Sequence, residues 1–279
     1  MNATLANQDI ARNLYGYGKV HQPLQGPWEF GEEHLEQYRQ LGFVAIENVF
    51  TPEQVDGAKG ELQRLIEAND PGGALLNFEP GIDIDALPLA QRHQYVRKLM
   101  FFLKHSALLN AMAHDATLLG IVERLVGEEV QLTQDMALLK PAHVGTEKPW
   151  HQDSAYFLLE PREKIIGTWT ALDPATAENG CMHLLPGSQL EGPRPHYHAR
   201  DCQLPDDEGR AAHDVMVPLQ PGGVLFFSSM VHHGTPPNNS PASRWALQFH
   251  YASVRCRPID TDAHALAFRD HAGYAGCLR

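Results

Sequence analysis

The residues in this chain best suited to chemistry are His151 and Asp153, in the run Pro149-Trp150-His151-Gln152-Asp153. Side chains at i and i+2 of a strand project from one face. This spacing therefore offers an imidazole nitrogen and a carboxylate oxygen to a single divalent metal. A third ligand is sought in Ser228-Ser229-Met230-Val231-His232-His233-Gly234, a second strand-like run carrying two histidines. Those two point to opposite faces, and the pattern alone leaves either free to be the inward one. Two histidines and a carboxylate on one face of an octahedron leave the other face open to a chelating cosubstrate and dioxygen, the layout of non-haem Fe(II) oxygenases.

A 2-oxo acid in that position needs a cation for its distal carboxylate. Arg244 follows the turn Pro236-Pro237-Asn238-Asn239-Ser240-Pro241, whose residues end strands and set turn dihedrals. It is expected to begin the neighbouring antiparallel strand, Arg244 to Tyr251, where a guanidinium can grip a carboxylate with two hydrogen bonds.

Three ordered motifs carry a family resemblance: Trp150-His151-Gln152-Asp153, then Glu178-Asn179-Gly180-Cys181-Met182-His183-Leu184-Leu185-Pro186-Gly187-Ser188, then His233-Gly234-Thr235 with Asn238, Ser240 and Arg244 behind it. From about residue 28 to residue 255 the chain resembles the phytanoyl-CoA dioxygenase family of Fe(II)- and 2-oxoglutarate-dependent oxygenases. The resemblance implies a metal set of His151, Asp153 and His233, with His232 packed elsewhere. It implies that Thr235 shares the cosubstrate carboxylate with Arg244, that Trp169 walls the cosubstrate, and that Lys98 and Gln134 approach it. It further implies Fe(II), 2-oxoglutarate and O2 as reactants, with ascorbate as a supporting reductant. The expected reaction hydroxylates an unactivated C–H bond of a small metabolite or natural-product intermediate and releases succinate and CO2. Asp153 stands where an iron halogenase needs an open position, which favours hydroxylation over halogenation. The competing readings are an acyl-CoA 2-hydroxylase of the phytanoyl-CoA type, a jelly-roll that binds metal or 2-oxoglutarate without turnover, and a cupin-like enzyme working without 2-oxoglutarate. Arg244 together with Thr235 argues against the last two.

The elements that must position these groups follow from periodicity. Phe30 to Gly42 reads as a helix stopped by glycine, followed by a strand from Phe43 to Val49. Thr51-Pro52-Glu53-Gln54 is a capping box with proline at the first helical position. Val55, Ala58, Leu62, Leu65 and Ile66 continue that helix at core-facing spacing, and Pro71-Gly72-Gly73 ends it. Residues 75–88 read as a loop, and helices are expected at Leu89 to Leu103 and, between Asp115 and Gly127, at 115–126. Strands follow at 130–139, 165–172, 181–185, 215–219, 224–231 and 245–252. This order predicts a mainly β fold, a double-stranded β-helix of the jelly-roll, cupin-like kind with bracing N-terminal helices. It is expected to form one oxygenase domain over 1–279, with a mostly helical part to 128, a jelly-roll core over 129–255 and a tail from 256. The aperiodic segment 191–214 has the length of a lid, and His196, Tyr197 and His198 in it raise the thought of a second metal site.

With 279 residues and 43% hydrophobic content the chain can bury a substantial core. A net charge of -12 argues against nucleic acid as a bulk partner. No apolar run is long enough to span a bilayer, and neither terminus reads as a secretory or peroxisomal signal. A small-molecule substrate, no membrane partner and a cytoplasmic location are expected, and no pattern sets an oligomeric state. Cys181, Cys202, Cys256 and Cys277 lack paired spacing and are expected as free thiols.

Overall fold

Two antiparallel sheets face each other and hold the candidate site between them. The computed structural model describes residue 9 and residues 13–68 and 74–268. The strands of its two main sheets are β1 (Phe43–Ile46), β2 (Leu75–Phe78), β3 (Val96–Met100), β4 (Val130–Lys140), β5 (Lys148–His151), β6 (Ile165–Ala171), β7 (Met182–Leu184), β8 (Val215–Val217), β9 (Val224–Ser228), β10 (His233–Thr235) and β11 (Arg244–Ser253). The major sheet has seven strands in the order β1-β9-β6-β11-β4-β3-β2, and the minor sheet has four in the order β8-β7-β10-β5. This is the expected double-stranded β-helix.

Strand alternation sorts side chains onto two cores. Odd positions of β11, with Leu247 and Phe249, join Leu99, Ala137, Leu139, Ile166 and Phe226 on the outer face of the major sheet. The helices α1 (Glu32–Leu41), α2 (Pro52–Glu67), α3 (Ala107–Ala113) and α4 (Ala116–Val126) pack there. Even positions look inward: Ala246 packs with Trp169, Ala171, Leu225 and Phe227 against Met182, Leu184 and Val217 of the minor sheet. The helix signals act as read. Gln54 N donates to Thr51 Oγ1 and Thr51 N to Gln54 Oε1 at 3.3 and 2.9 Å, while Asp115 caps α4 and Gly127 ends it at φ 82°.

Several expectations are corrected. The helix expected from Leu89 to Leu103 shrinks to one turn, Leu89–Arg92, and the chain then becomes β3. The loop expected over 75–88 contains β2. Both join the major sheet, Met100 opposite Met136 and Leu76 opposite Leu99, because pairing of β3 with β4 and of β2 with β3 outweighs local helical spacing. The strand expected over 224–231 ends at Ser228, and a tight turn closed by Val231 N to Ser228 O follows. Arg244 does begin a strand, but β11 lies in the major sheet between β4 and β6 and does not pair with the strand bearing His233. Segment 191–214 contains two short paired strands, Tyr197–His198 and Cys202–Gln203, and a turn of 3-10 helix. The tail forms α5 (Thr261–Phe268), whose Phe268 packs on Ala155 and Met230 beside the site. Cys181 and Cys256 are free, whereas Cys202 is disulfide-bonded, which overturns the expectation of four free thiols. Pro71-Gly72-Gly73 and Cys277 lie outside the described residues.

Candidate active site

His151 and His233 sit directly opposite each other where β5 pairs with β10. Their rings lie 4.2 Å apart, centre to centre. β5 ends at His151, Gln152 stays extended at φ -113° and ψ 130°, and Asp153 opens a short 3-10 turn. The alternation therefore persists one step past the strand and brings Asp153 to the same interior. Asp153 Oδ1 lies 3.2 Å from His151 Nε2 and 3.6 Å from His233 Nε2. One ligand atom from each residue falls within 4.8 Å of the others, and among the described residues this is the one such group that could hold a metal ion.

The protonation states suit a cation. His151 Nδ1 donates to Pro149 O at 2.8 Å and His233 Nδ1 to Val231 O at 3.0 Å. Each ring thus spends its proton on a carbonyl two residues back and turns the Nε2 lone pair inward. Burial pushes His151 down to about 3 and lowers His233 as well, so both are neutral near pH 7. Burial alone would raise the Asp153 carboxyl, but the electrostatic pull of His233 and His250 and hydrogen bonds from His151 and His250 hold it well below the usual carboxylate range. Its second oxygen, Oδ2, accepts from His250 Nε2 at 2.8 Å and Gln248 Nε2 at 3.3 Å.

Gln152, between His151 and Asp153, points away from the interior that those two side chains share. Its Nε2 donates to Gly192 O and Met230 O at 3.0 and 2.8 Å, and its Oε1 accepts from Arg194 N at 2.8 Å. Segment 191–214 is pinned again where Asp201 meets Lys148 at 2.8 Å, where Arg200 meets Glu147 at 2.7 Å, and where Leu204 N reaches Trp150 O at 2.8 Å. His196 is consumed in the same way, accepting from Gln152 N at 3.0 Å and donating to Arg194 O at 2.7 Å. No second metal cluster exists among the described residues.

Of the remaining expected residues, all but Thr235 share the inward face of the major sheet. Arg244 is opposite Lys140, Gln248 is opposite both Met136 and Trp169, His250 is opposite Gln134, and Lys98 is opposite Leu138. Arg244 is 1% exposed and lies over the Trp169 ring at 5.0 Å, yet its Nε and Nη1 have no partner. Burial lowers its guanidinium to about 10, which leaves it charged at neutral pH. A buried cation with free donors is costly unless an anion meets it. Thr235 is buried on β10 two residues beyond His233. Lys98 is brought down to about 7 by burial, with the charge of Lys148 adding to the effect. His232 is also buried, and neither ring nitrogen finds a partner.

Gln248 and His250 were not anticipated. Their signal is present in Trp245-Ala246-Leu247-Gln248-Phe249-His250-Tyr251, where two polar residues interrupt one face of an otherwise apolar strand. Tyr15 was missed too. It stacks on Trp150 at 5.4 Å and donates to Glu147 Oε1 at 2.8 Å, bracing β5 from behind.

Known proteins place this geometry in a class. EvdO2 from Micromonospora carbonacea var. aurantiaca, solved in complex with 2-oxoglutarate, superposes with a TM-score of 0.66 over 89% of this chain and 100% of its own, at 25% identity. The epimerase SnoN, solved with Fe3+, alpha ketoglutarate and nogalamycin RO, shares the fold with a TM-score of 0.66 over 89% and 93% of the two chains at 21% identity. The chain is an Fe(II)/2-oxoglutarate-dependent dioxygenase of the double-stranded β-helix class. Peroxisomal phytanoyl-CoA dioxygenase of Mus musculus is 26% identical over 245 residues, covering 82% of this chain and 70% of that protein. The model of the Phytanoyl-CoA dioxygenase (PhyH) family matches residues 38–246, well over half of the sequence, and the chain belongs to that family.

Proposed function

We propose that His151, Asp153 and His233 hold the iron, that Arg244 with Thr235 anchors the distal carboxylate of 2-oxoglutarate, and that the enzyme hydroxylates a C–H bond of a small metabolite or natural-product intermediate. The observation that carries the reading is Arg244, a buried guanidinium with two unpartnered nitrogens on the face that also bears the Asp153 hydrogen-bond donors. When bound, Fe(II) with 2-oxoglutarate and O2 supplies the oxidation, releasing succinate and CO2. The chain's own part is placement and exclusion of water. Neutral His151 and His233 present fixed lone pairs, and Arg244 sets the far end of the cosubstrate. The Arg244 guanidinium lies over the buried Trp169 ring, 5.0 Å from its centroid, shielded from bulk water. Lys98 and Gln134 border the same face as further polar contacts, and ascorbate keeps the metal reduced between turnovers. The residues from 1 to 279 act as one oxygenase domain in this reading.

A small substrate is preferred over an acyl-CoA because of where the positive charge goes. Three of the basic side chains around the strand carrying His151 are already paired: Arg97 with Glu79 at 3.3 Å, Lys148 with Asp201 at 2.8 Å and Arg200 with Asp206 at 2.7 Å. A CoA pyrophosphate would have to compete for them on a chain of net charge -12.

Succinate formed from 2-oxoglutarate with Fe(II), ascorbate and O2 tests the proposal across a panel of metabolites and acyl-CoA thioesters. Wild type is expected to turn over with a metabolite, Asp153→Ala to give none, and Arg244→Ala to raise the 2-oxoglutarate KM about 100-fold, the loss of a buried charge-assisted contact of about 2–3 kcal/mol. Equal rates in wild type and Asp153→Ala sink the oxygenase reading, and turnover confined to thioesters replaces it with the acyl-CoA one.

A further inference from the structure

Asp153 has two carboxylate oxygens, and the fold treats them differently. Oδ1 faces His151 Nε2 and His233 Nε2 at 3.2 and 3.6 Å. Oδ2 is turned to the floor of the major sheet, where His250 Nε2 and Gln248 Nε2 reach it at 2.8 and 3.3 Å and each other at 3.3 Å. All three residues are at most 5% exposed. Gln248 and His250 are i and i+2 on β11, so their side chains leave the strand together. β11 is flanked on both sides by β4 and β6, which fixes its height. The donors therefore stand on a rigid central strand of one sheet and hold a ligand carried by a turn at the edge of the other.

The cost of this arrangement argues that it is used. His250 donates through Nε2 to Asp153, and its Nδ1 is buried without a partner. Its surroundings are apolar, with Phe157 edge-on at 4.9 Å and Phe227 at 6.4 Å. An aromatic hydrocarbon would fill this space without an orphaned polar atom. What it would lack is the donor to Asp153.

We infer that His250 and Gln248 are positioning residues that occupy Asp153 Oδ2 and so restrict the carboxylate to one-oxygen ligation through Oδ1, keeping an additional coordination position free for cosubstrate and O2. This rests on the metal set proposed above. Without the clamp, the carboxylate can rotate about its Cβ–Cγ bond, present both oxygens to the cation and take up that position. His250 carries the larger share, since its hydrogen bond is the shorter.

The test uses Co(II) alone with the metal-free protein, read by the visible d–d absorption and by calorimetric titration, alongside the melting temperature of each metal-free variant. Wild type is expected to bind one Co(II). His250→Phe is expected to bind about 10–100-fold more weakly, the usual effect of removing a partner behind a metal ligand, with a d–d band changed in position and intensity. His250→Gln restores a donor and is expected to recover affinity to within about threefold of wild type, and Gln248→Met to fall between. His250→Phe with wild-type affinity and an unchanged band overturns the inference. So does an equal loss in His250→Phe and His250→Gln, which would make the effect one of packing. Should His250→Phe fail to fold, Gln248→Met decides: an unaltered affinity and spectrum overturns the clamp, and a weakened, shifted one supports it. A wild type that binds no Co(II) removes the metal set itself, an outcome distinct from failure of the clamp.

Discussion

At the scale of single residues, charge held in the interior is what the chain spends stability on, and Lys98 shows it best. It stands on β3 facing the site and makes no hydrogen bond or ion pair among the described residues, and burial takes it from an ordinary value of 10.5 to about 7. Below about pH 7 the amine is protonated in folded and unfolded chains alike, and the desolvation cost is fully present. Between about 7 and 10.5 the unfolded chain binds more protons than the folded one, so stability rises with pH across that window. Lys98→Met removes the cost, and the metal-free variant is expected to melt about 2–5 °C above wild type at pH 6.5. The gap should close by pH 10. A difference that stays constant with pH would show that Lys98 is not desolvated. The site was legible at this scale wherever chemistry is written locally. His151-x-Asp153 needs only the two-residue period of a strand, but His232 and His233 differ only in which face is inward, and spacing cannot tell them apart. The hydrogen-bond donors on Asp153 come from β11, far along the chain, so no local pattern ties them to it.

Elements were legible where a single period or cap decided them. The capping box at Thr51 and the Asp115 cap with Gly127 set α2 and α4, and six strands from Val130 onward lie within a few residues of their sequence positions. β3 was not legible, because its apolar residues Val96, Leu99, Phe102 and Leu103 fit a helix as well as a strand. Long-range groups decide it. Asp135 on β4 is buried, and its Oδ2 accepts from Phe102 N at 2.7 Å and Leu103 N at 3.2 Å. The chain reaches those amides through Phe101, a bulky residue at φ 61°, a conformation that costs about 1 kcal/mol or more. The carboxylate thus ends β3 and holds Met100 opposite Met136. Asp135→Ala leaves two amides without an acceptor and is expected to destabilise by about 2–5 kcal/mol, seen as a fall in the urea midpoint at unchanged slope. Asp135→Asn keeps a side-chain oxygen and should recover more than half of that loss. An alanine variant as stable as wild type would mean the turn is held by other contacts.

For the molecule as a whole, the question is whether the metal completes the fold or only uses it. Both cores close without it: the outer one between the major sheet and its helices, and the inner one between the sheets with Trp169, Phe227 and Leu184 at its centre. The three expected ligands lie on β5, the turn just after it, and β10, which are already joined by backbone hydrogen bonds. A cation there ties together segments that are already adjacent. It therefore adds stability by mass action and does not create structure, unlike a small domain organised around zinc. Redox-inert Mn(II) at 100 times its Kd is expected to contribute about 2.7 kcal/mol. In a chain of 279 residues that is a rise of about 5–10 °C in melting temperature. Asp153→Ala should abolish the rise, and a chelator should return wild type to its metal-free value with its far-ultraviolet dichroism intact. If chelation instead erases the dichroism, the strands bearing His151 and His233 depend on the ion for their pairing, and the preformed site argued from their direct register is wrong.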